Sequence, residues 1–261
     1  MIRSPLSVRL DPSRPIREQI RLAAEAGAKG IIIDASGELA PSKLSESGRR
    51  EVRHLFRSVE VVLAGVHLPT RRGFDTFDQI EDRLGRADRA FELAYDLGAR
   101  LILVRAGSVP PSDEETRRAA FDTTIGELAQ RADHRGLQVA LETGTEPGEA
   151  LKTFLDGRDL PNLAASIDPA YLLRNGFDPV LAVRDLGRWV AHAYLHQAVG
   201  QQVAVEVSTR RNARSATGLD WENYFGALEE INYRGWMTIW PESSDNLFGQ
   251  FRKVAESLRF A

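Results

Sequence analysis

The 261-residue chain contains no cysteine, which excludes disulfides and thiolate sites. No apolar run approaches about 18 residues, the length a transmembrane helix needs, so no membrane partner is expected. The opening stretch MIRSPLSVRL lacks the long apolar core of a secretory signal, and a cytoplasmic setting is expected. A charge excess of one sign is missing too: 34 Lys and Arg stand against 37 Asp and Glu, a net charge of −3. Duplex nucleic acid usually calls for a clustered basic surface. Arg49, Arg50, Arg53 and Arg57 sit at helical spacing and read as solvated helix faces, so no nucleic-acid partner is expected. What remains is a soluble globular balance, 43% hydrophobic and 27% charged, in a chain long enough to bury a large core as one domain spanning 1–261.

One phrase recurs along the chain: a helix end, a Gly, one or two residues, then an apolar run. It appears as AEAGAKGIIID (24–34), YDLGARLILVR (95–105), ADHRGLQVALE (132–142) and INYRGWMTIWP (231–241). The physical reading is a helix closed by a Gly in the left-handed conformation that leads straight into a buried strand. Eight strands are predicted, at 5–10, 30–34, 61–67, 101–105, 138–142, 163–168, 190–196 and 235–240, with helices between them. Helices are predicted over 75–97, 113–135 (Ser112 and Glu115 forming a capping box), 221–233 (capped by Asp220) and 246–260. Eight βα units without a composition break imply an α/β fold, a single (β/α)8 barrel. The runner-up is an open doubly wound sheet, but no G-x-G-x-x-G follows the first strand. The longest stretch without a clear element is 197–219, where a binding loop or lid is expected.

In such barrels the site lies at the C-terminal strand ends, and side chains alternate inward and outward. Parity points Gln138, Ala140 and Glu142 inward, likewise Ser166 and Asp168, then His192, Tyr194 and His196, and Thr238, Trp240 and Glu242. His67, Arg105 and Asp34 end their strands inward as well. Carboxylates and imidazoles that converge on one cavity can hold a divalent cation or move protons between sugar carbons. Structural explanations compete at each position. Asp168-Pro169 and Asp178-Pro179 are N-cap patterns. Glu142 can pair with Arg105, Asp34 with Arg9, and His67 can be a satisfied core histidine. His192 lies deeper and reads as structural, His54 and His134 sit on helices, and Arg71 and Arg72 read as exposed, with Arg71 a candidate contact for a ligand.

VHLP (66–69), ALETG (140–144), SIDPAYLLRNGFDPVLAVRDLG (166–187), HAYLHQA (192–198) and DWENYFGALEEINYRGWMTI (220–239) together resemble the xylose isomerase-like TIM-barrel family, the sugar phosphate isomerases and epimerases. The resemblance covers nearly the whole chain and is strongest from about residue 138 onward. It implies one divalent metal (Mn, Zn or Mg) held by Glu, Asp, His and Glu from successive strands. In the family the two glutamates work as acid and base on either face of an enediol. By motif, Glu142 and Asp168 fall on the first two ligand positions, and His67 on a sugar-contacting histidine. The last two positions depart from the pattern, because Tyr194 stands where the metal His belongs and Trp240 where the final Glu belongs. His196 and Glu242 lie two residues further along the same strands. With Glu142 and Asp168 they make up a shifted ligand set, offset by about one pleat repeat of 6.6 Å.

Two readings follow. In the first the chain is a sugar or sugar phosphate isomerase or epimerase, with Glu142, His67, Arg105 and Glu242 as catalytic groups and Tyr194, Trp240, His196 and Arg71 against the substrate. In the second it is a non-catalytic sugar-binding or scaffold barrel whose metal is absent. Without a cation Glu142 and Asp168 repel, so an Arg105–Glu142 pair or a raised carboxylate pKa is expected. An endonuclease IV-like nuclease is the remote alternative, short of the required ligands and of a basic face. The ligand class in the first two is a small carbohydrate, and the family often forms homodimers.

Overall fold

The computed structural model describes residues 4–195, 219–240 and 247–260. Its eight strands are β1 (Leu6–Arg9), β2 (Gly30–Asp34), β3 (Val62–Leu68), β4 (Leu101–Val104), β5 (Gln138–Glu142), β6 (Leu163–Ile167), β7 (Val190–Leu195) and β8 (Trp236–Ile239). All neighbours pair in parallel and the order β1 to β8 closes on itself, so the chain forms a closed barrel. Each strand lies within about one residue of its expected position. The open-sheet alternative is set aside by the β1–β8 pairing, Ser7 opposite Thr238.

The helices are α1 (Ile16–Glu25), α2 (Glu46–Ser58), α3 (Ile80–Leu97), α4 (Glu115–Asp133), α5 (Gly148–Asp156), α6 (Pro169–Arg174), α7 (Pro179–Leu186), α8 (Trp221–Glu230) and α9 (Leu247–Phe260). Outward strand residues such as Val8, Ile31, Val66, Ile102, Val139 and Ile167 are fully buried between sheet and helices. They meet helix side chains such as Ile20, Phe56, Phe91, Phe121, Phe154 and Tyr224. Each such side chain contributes roughly 1.5–3 kcal/mol of burial.

Three helix boundaries differ from expectation. The residue before α4 is Glu114, which makes no side-chain cap, so the Ser112–Glu115 capping box does not form. α3 begins at Ile80 rather than near residue 75, because Gln79 takes a left-handed conformation (φ 51°) that cannot continue a helix backward. α8 ends at Glu230, and there Asn232, not the downstream Gly235, supplies the positive φ of 55°. Gly235 is small for another reason: a Cβ there would lie 2.6 Å from the Tyr233 hydroxyl and 2.8 Å from the Ala191 carbonyl. The expected caps do form at Asp168, Asp178 and Asp220.

Inside the barrel, small and apolar residues fill the lower layer: Ile32, Ala64, Leu101, Leu103, Ala140 and Ala164 with Trp236 against them. Above them runs a polar chain. Ser7 Oγ and Thr238 Oγ1 are 2.6 Å apart, Thr238 Oγ1 and His192 Nε2 2.6 Å, and His192 Nδ1 and Ser166 Oγ 2.8 Å. Burial presses the His192 pKa down to about 3, so this imidazole is neutral and structural. The charged layer lies one pleat higher, at the C-terminal mouth.

Candidate active site

β1 carries Arg9, expected from the sequence only as a partner for Asp34, and that pair forms. Val8 faces the helices, so Arg9 points into the barrel, where it is 5% exposed. Its Nε donates to Asp34 Oδ1 at 3.0 Å and its Nη2 to Asp34 Oδ2 at 3.1 Å, a forked pair across adjacent strands. Nη1 donates to the Tyr194 hydroxyl at 3.1 Å and lies 3.9 Å from Glu142 Oε1. Nη2 is also 2.8 Å from His67 Nδ1. The guanidinium carbon sits 3.8 Å from the centroid of the Trp240 ring, a cation–π contact. Burial works against the charge on Arg9, but Tyr194, Asp34 and Glu142 outweigh it and raise its pKa further above the ordinary arginine value.

Tyr194 and Trp240 both turn into the barrel, with ring centroids 5.5 Å apart. Tyr194 is completely buried. Its hydroxyl accepts from Arg9 and donates to Glu142 Oε1 at 2.9 Å. The phenol ring is thus enclosed, whereas Trp240 is half-buried, with Arg9 over one face of its ring.

Glu142 is the hub of the carboxylates. His67 Nε2 lies 3.5 Å and Arg105 Nε 3.4 Å from its Oε2, yet Oε2 and that Nε are both buried without a well-formed hydrogen bond. Burial alone would raise the Glu142 pKa; His67, Arg9 and Arg105 together overcome it and hold the group far below the usual carboxylate range. Asp34 is likewise lowered against its burial, by His67 and Arg9. The expected Arg105–Glu142 pair is thus present, whereas the alternative of a raised pKa at Glu142 is not. Burial is also the largest influence on His67 and, with Arg9, favours the neutral ring; Glu142 and Asp34 outweigh both and raise its pKa. A neutral ring accepts from Arg9 at Nδ1, 2.8 Å away, and turns its Nε2 proton toward Glu142; a protonated ring gives up the Arg9 contact and sets its charge beside Asp34 and Glu142.

Arg105 closes the mouth. Its side chain is 35% exposed, lies 3.4 Å from Asp168 Oδ2, and stacks 4.3 Å from the Tyr171 ring centroid. Asp168 does two things at once: Oδ1 caps α6 by accepting from the Tyr171 amide at 3.0 Å, and Oδ2 faces Arg105. Gly144, just after β5, has φ +135°, and a Cβ there would stand 2.0 Å from the Tyr171 ring. Gly144→Ala is therefore expected to cost about 2–4 kcal/mol from the backbone conformation and the displaced ring. A lowered urea midpoint would report it; an unchanged midpoint would contradict the packing described.

Arg71 is exposed on the loop after β3. His196 and Glu242, and all but the last residue of the expected loop 197–219, lie outside the described residues. A buried titratable residue not anticipated from the sequence is Glu146, on the loop after β5. It accepts from Thr145 Oγ1 at 2.6 Å and the Val109 amide at 3.3 Å, and burial pushes its pKa up to about 7. Nothing in a lone glutamate between Thr145 and Pro147 signals burial. Arg9 had a signal: the inward parity of a strand residue with a charge that must be neutralised.

The centre does not fit the divalent ion that the family resemblance implies. Two of the four expected donor positions carry Tyr194, a phenol that already donates to Glu142, and Trp240, which offers no lone pair. A guanidinium stands among the remaining donors, in contact with Asp34, His67 and Tyr194. Among the described residues no group of three or more His, Cys, Asp or Glu side chains is arranged to hold a metal. No helix among them is long and apolar enough to cross a membrane.

The fold has well-matched relatives of known structure. A xylose isomerase domain protein from Planctomyces limnophilus superposes with a TM-score of 0.78 at 19% identity, covering 99% of this chain and 96% of that one. A D-allulose 3-epimerase from Methylomonas sp. gives 0.75 at 18% identity, with 97% of each chain covered. The 3-keto-D-glucoside 4-epimerase of E. coli gives 0.73 at 18% identity, with 99% and 100% covered. These identities establish a shared fold. No curated protein sequence matches the chain. Residues 20–261 match the family described as xylose isomerase-like TIM barrel, and with a closed eight-stranded barrel carrying Glu142 and Asp168 at adjacent strand ends, the chain belongs to that family.

Proposed function

We propose that the chain binds a small carbohydrate-like carbonyl compound at the C-terminal mouth and isomerises it by proton transfer through an enediol-type intermediate, with arginines and not an ion supplying the positive charge. The observation that carries this reading is Glu142 Oε2: an ionised, buried acceptor without a good hydrogen bond, between His67 Nε2 and the half-exposed Arg105. Epimerases among the structural relatives support the substrate class.

In the proposed step Glu142 takes the proton from the carbon next to the ligand carbonyl. The C–H electrons form the enediolate double bond, and the carbonyl oxygen takes up the negative charge opposite Arg105. Glu142 then returns the proton to the former carbonyl carbon, while His67 Nε2 gives its proton to the former carbonyl oxygen and recovers one from the neighbouring hydroxyl, which becomes the new carbonyl. Its low resting pKa makes Glu142 a weak base. The contacts of Arg105 are loose, however, and when the ligand oxygen engages that guanidinium one cation is drawn away and the carboxylate becomes more basic. A one-base shuttle of this kind gives aldose–ketose isomerisation. Epimerisation needs a second donor on the opposite face, and Glu242, the candidate for it, lies outside the described residues.

The second reading, a sugar-binding barrel without turnover, draws on the same Glu142: a carboxylate this well stabilised by Arg9, His67 and Tyr194 is content to stay ionised. Incubation with a panel of ketohexoses and aldoses in D2O separates the two. Isomerisation interconverts aldose and ketose, with deuterium on the carbon next to the carbonyl to the extent that the Glu142 proton exchanges with solvent, and Glu142→Gln reduces both to background. Ligand-induced thermal stabilisation with neither a product sugar nor deuterium in any sugar would select the binding protein.

A further inference from the structure

We infer that Arg9 is a resident replacement for the metal ion of this barrel, and that Tyr194 and Trp240 are its coordination partners. A divalent ion asks for lone pairs converging at about 2 Å. A guanidinium asks for acceptors around its plane at about 3 Å and tolerates an aromatic face above it. The second set is what surrounds Arg9. Asp34 takes the fork, His67 Nδ1 and the Tyr194 hydroxyl take one N–H each, and Trp240 lies over the guanidinium carbon at 3.8 Å. The two aromatic substitutions thus have a single explanation. The phenol relays between Arg9 and Glu142, and the indole supplies the π face where a carboxylate would crowd Glu142.

Charge follows the same logic. One guanidinium carries half the charge of a divalent ion, and Arg105, against Glu142 and Asp168, supplies the remainder. The N–H groups of Arg9 are turned to Asp34, His67 and Tyr194 and its face to Trp240, so it acts through these neighbours as a positioning residue that fixes Glu142, His67 and Tyr194. The inference concerns the same centre as the proposed function but requires no turnover. A protein that converts no sugar would leave it standing.

The test is Mn2+ binding, read from the electron paramagnetic resonance signal of the free ion, with circular dichroism to establish folding. Wild type and Tyr194→His/Trp240→Glu are expected to bind Mn2+ equally weakly, because the guanidinium still occupies the centre. Adding Arg9→Ala to that pair should tighten binding on the order of 100-fold. A double variant that binds as tightly as the triple would overturn the inference, as would a folded triple variant with wild-type affinity. Stoichiometric Mn2+ on the wild type that Glu142→Gln removes would do the same. Should the triple variant not fold, the wild type provides its own check: a held guanidinium gives resolved, slowly exchanging Arg9 Nη proton signals by NMR, and averaged ones would contradict it.

Discussion

Arg9→Met is expected to lower the unfolding free energy by about 3–5 kcal/mol, the cost of breaking a buried ion pair from one side. At roughly 2–4 °C per kcal/mol for a chain of this size, the thermal midpoint falls by about 6–20 °C. Methionine keeps much of the aliphatic stem, so the lost term is charge and not volume. What remains is Asp34 with its forked partner gone, the Tyr194 hydroxyl without its donor, and Glu142 with one cation fewer. All three are buried or nearly so, and water cannot replace the guanidinium without opening the barrel mouth. The attribution can be checked with a second substitution. Asp34→Asn in the Arg9→Met background removes one of the stranded charges, and the double variant should be more stable than the sum of the two single losses by about 1–3 kcal/mol. Urea unfolding of the four proteins measures the cycle. An Arg9→Met protein within about 1 kcal/mol of wild type would mean that the cluster relaxes and that Arg9 is dispensable to it.

Glu146→Gln has the opposite sign and depends on pH. Burial raises the Glu146 pKa from its ordinary value of 4.5 to about 7 in the folded protein. The folded state then binds more protons than the unfolded state between those values. Stability is greatest below about pH 4.5, declines as pH rises toward 7, and carries the full penalty above that. The shift corresponds to as much as about 3 kcal/mol at pH 8. Glutamine avoids the ionisation, and its amide oxygen can still accept from Thr145 Oγ1 and the Val109 amide. The variant should therefore be more stable than wild type at pH 8 and close to it at pH 4. The same contacts link the loop after β5 to the loop after β4, where Ser108 Oγ also donates to the Thr145 carbonyl at 3.1 Å. Ionisation of Glu146 should loosen that link, with faster amide exchange at Val109 at alkaline pH than at acid pH after correction for intrinsic rates. Equal pH dependence of stability in the two proteins would show that Glu146 is solvated and titrates near its ordinary value.

Some of the site was legible in the residues alone. Strand parity is a local property of period two, so Glu142, Asp168, Tyr194 and Trp240 were placed facing inward by counting along single strands, and they do face inward. The N-caps at Asp168, Asp178 and Asp220 were equally local, since a side chain reaches two or three residues along its own chain. The capping box at Ser112 failed although its pattern was just as clear, because the helix begins at Glu115 and leaves Ser112 outside it.

The sequence by itself determined the barrel, the inward direction of Glu142, Asp168, Tyr194 and Trp240, and the departure from two familiar ligand positions, because hydrophobic period and strand direction are written residue by residue. The Arg9–Asp34 and Arg105–Glu142 pairs could be named from strand ends, but the place of Arg9 over Trp240 and beside Tyr194, partners separated by most of the chain, was decided only when β1 closed against β8. The burial of Glu146 was decided in the same way, by the packing of two loops that no local pattern connects. Electrostatics in a closed interior depends on distances between strands that sequence spacing does not encode, and for that reason the cation at this centre is apparent only from the folded structure.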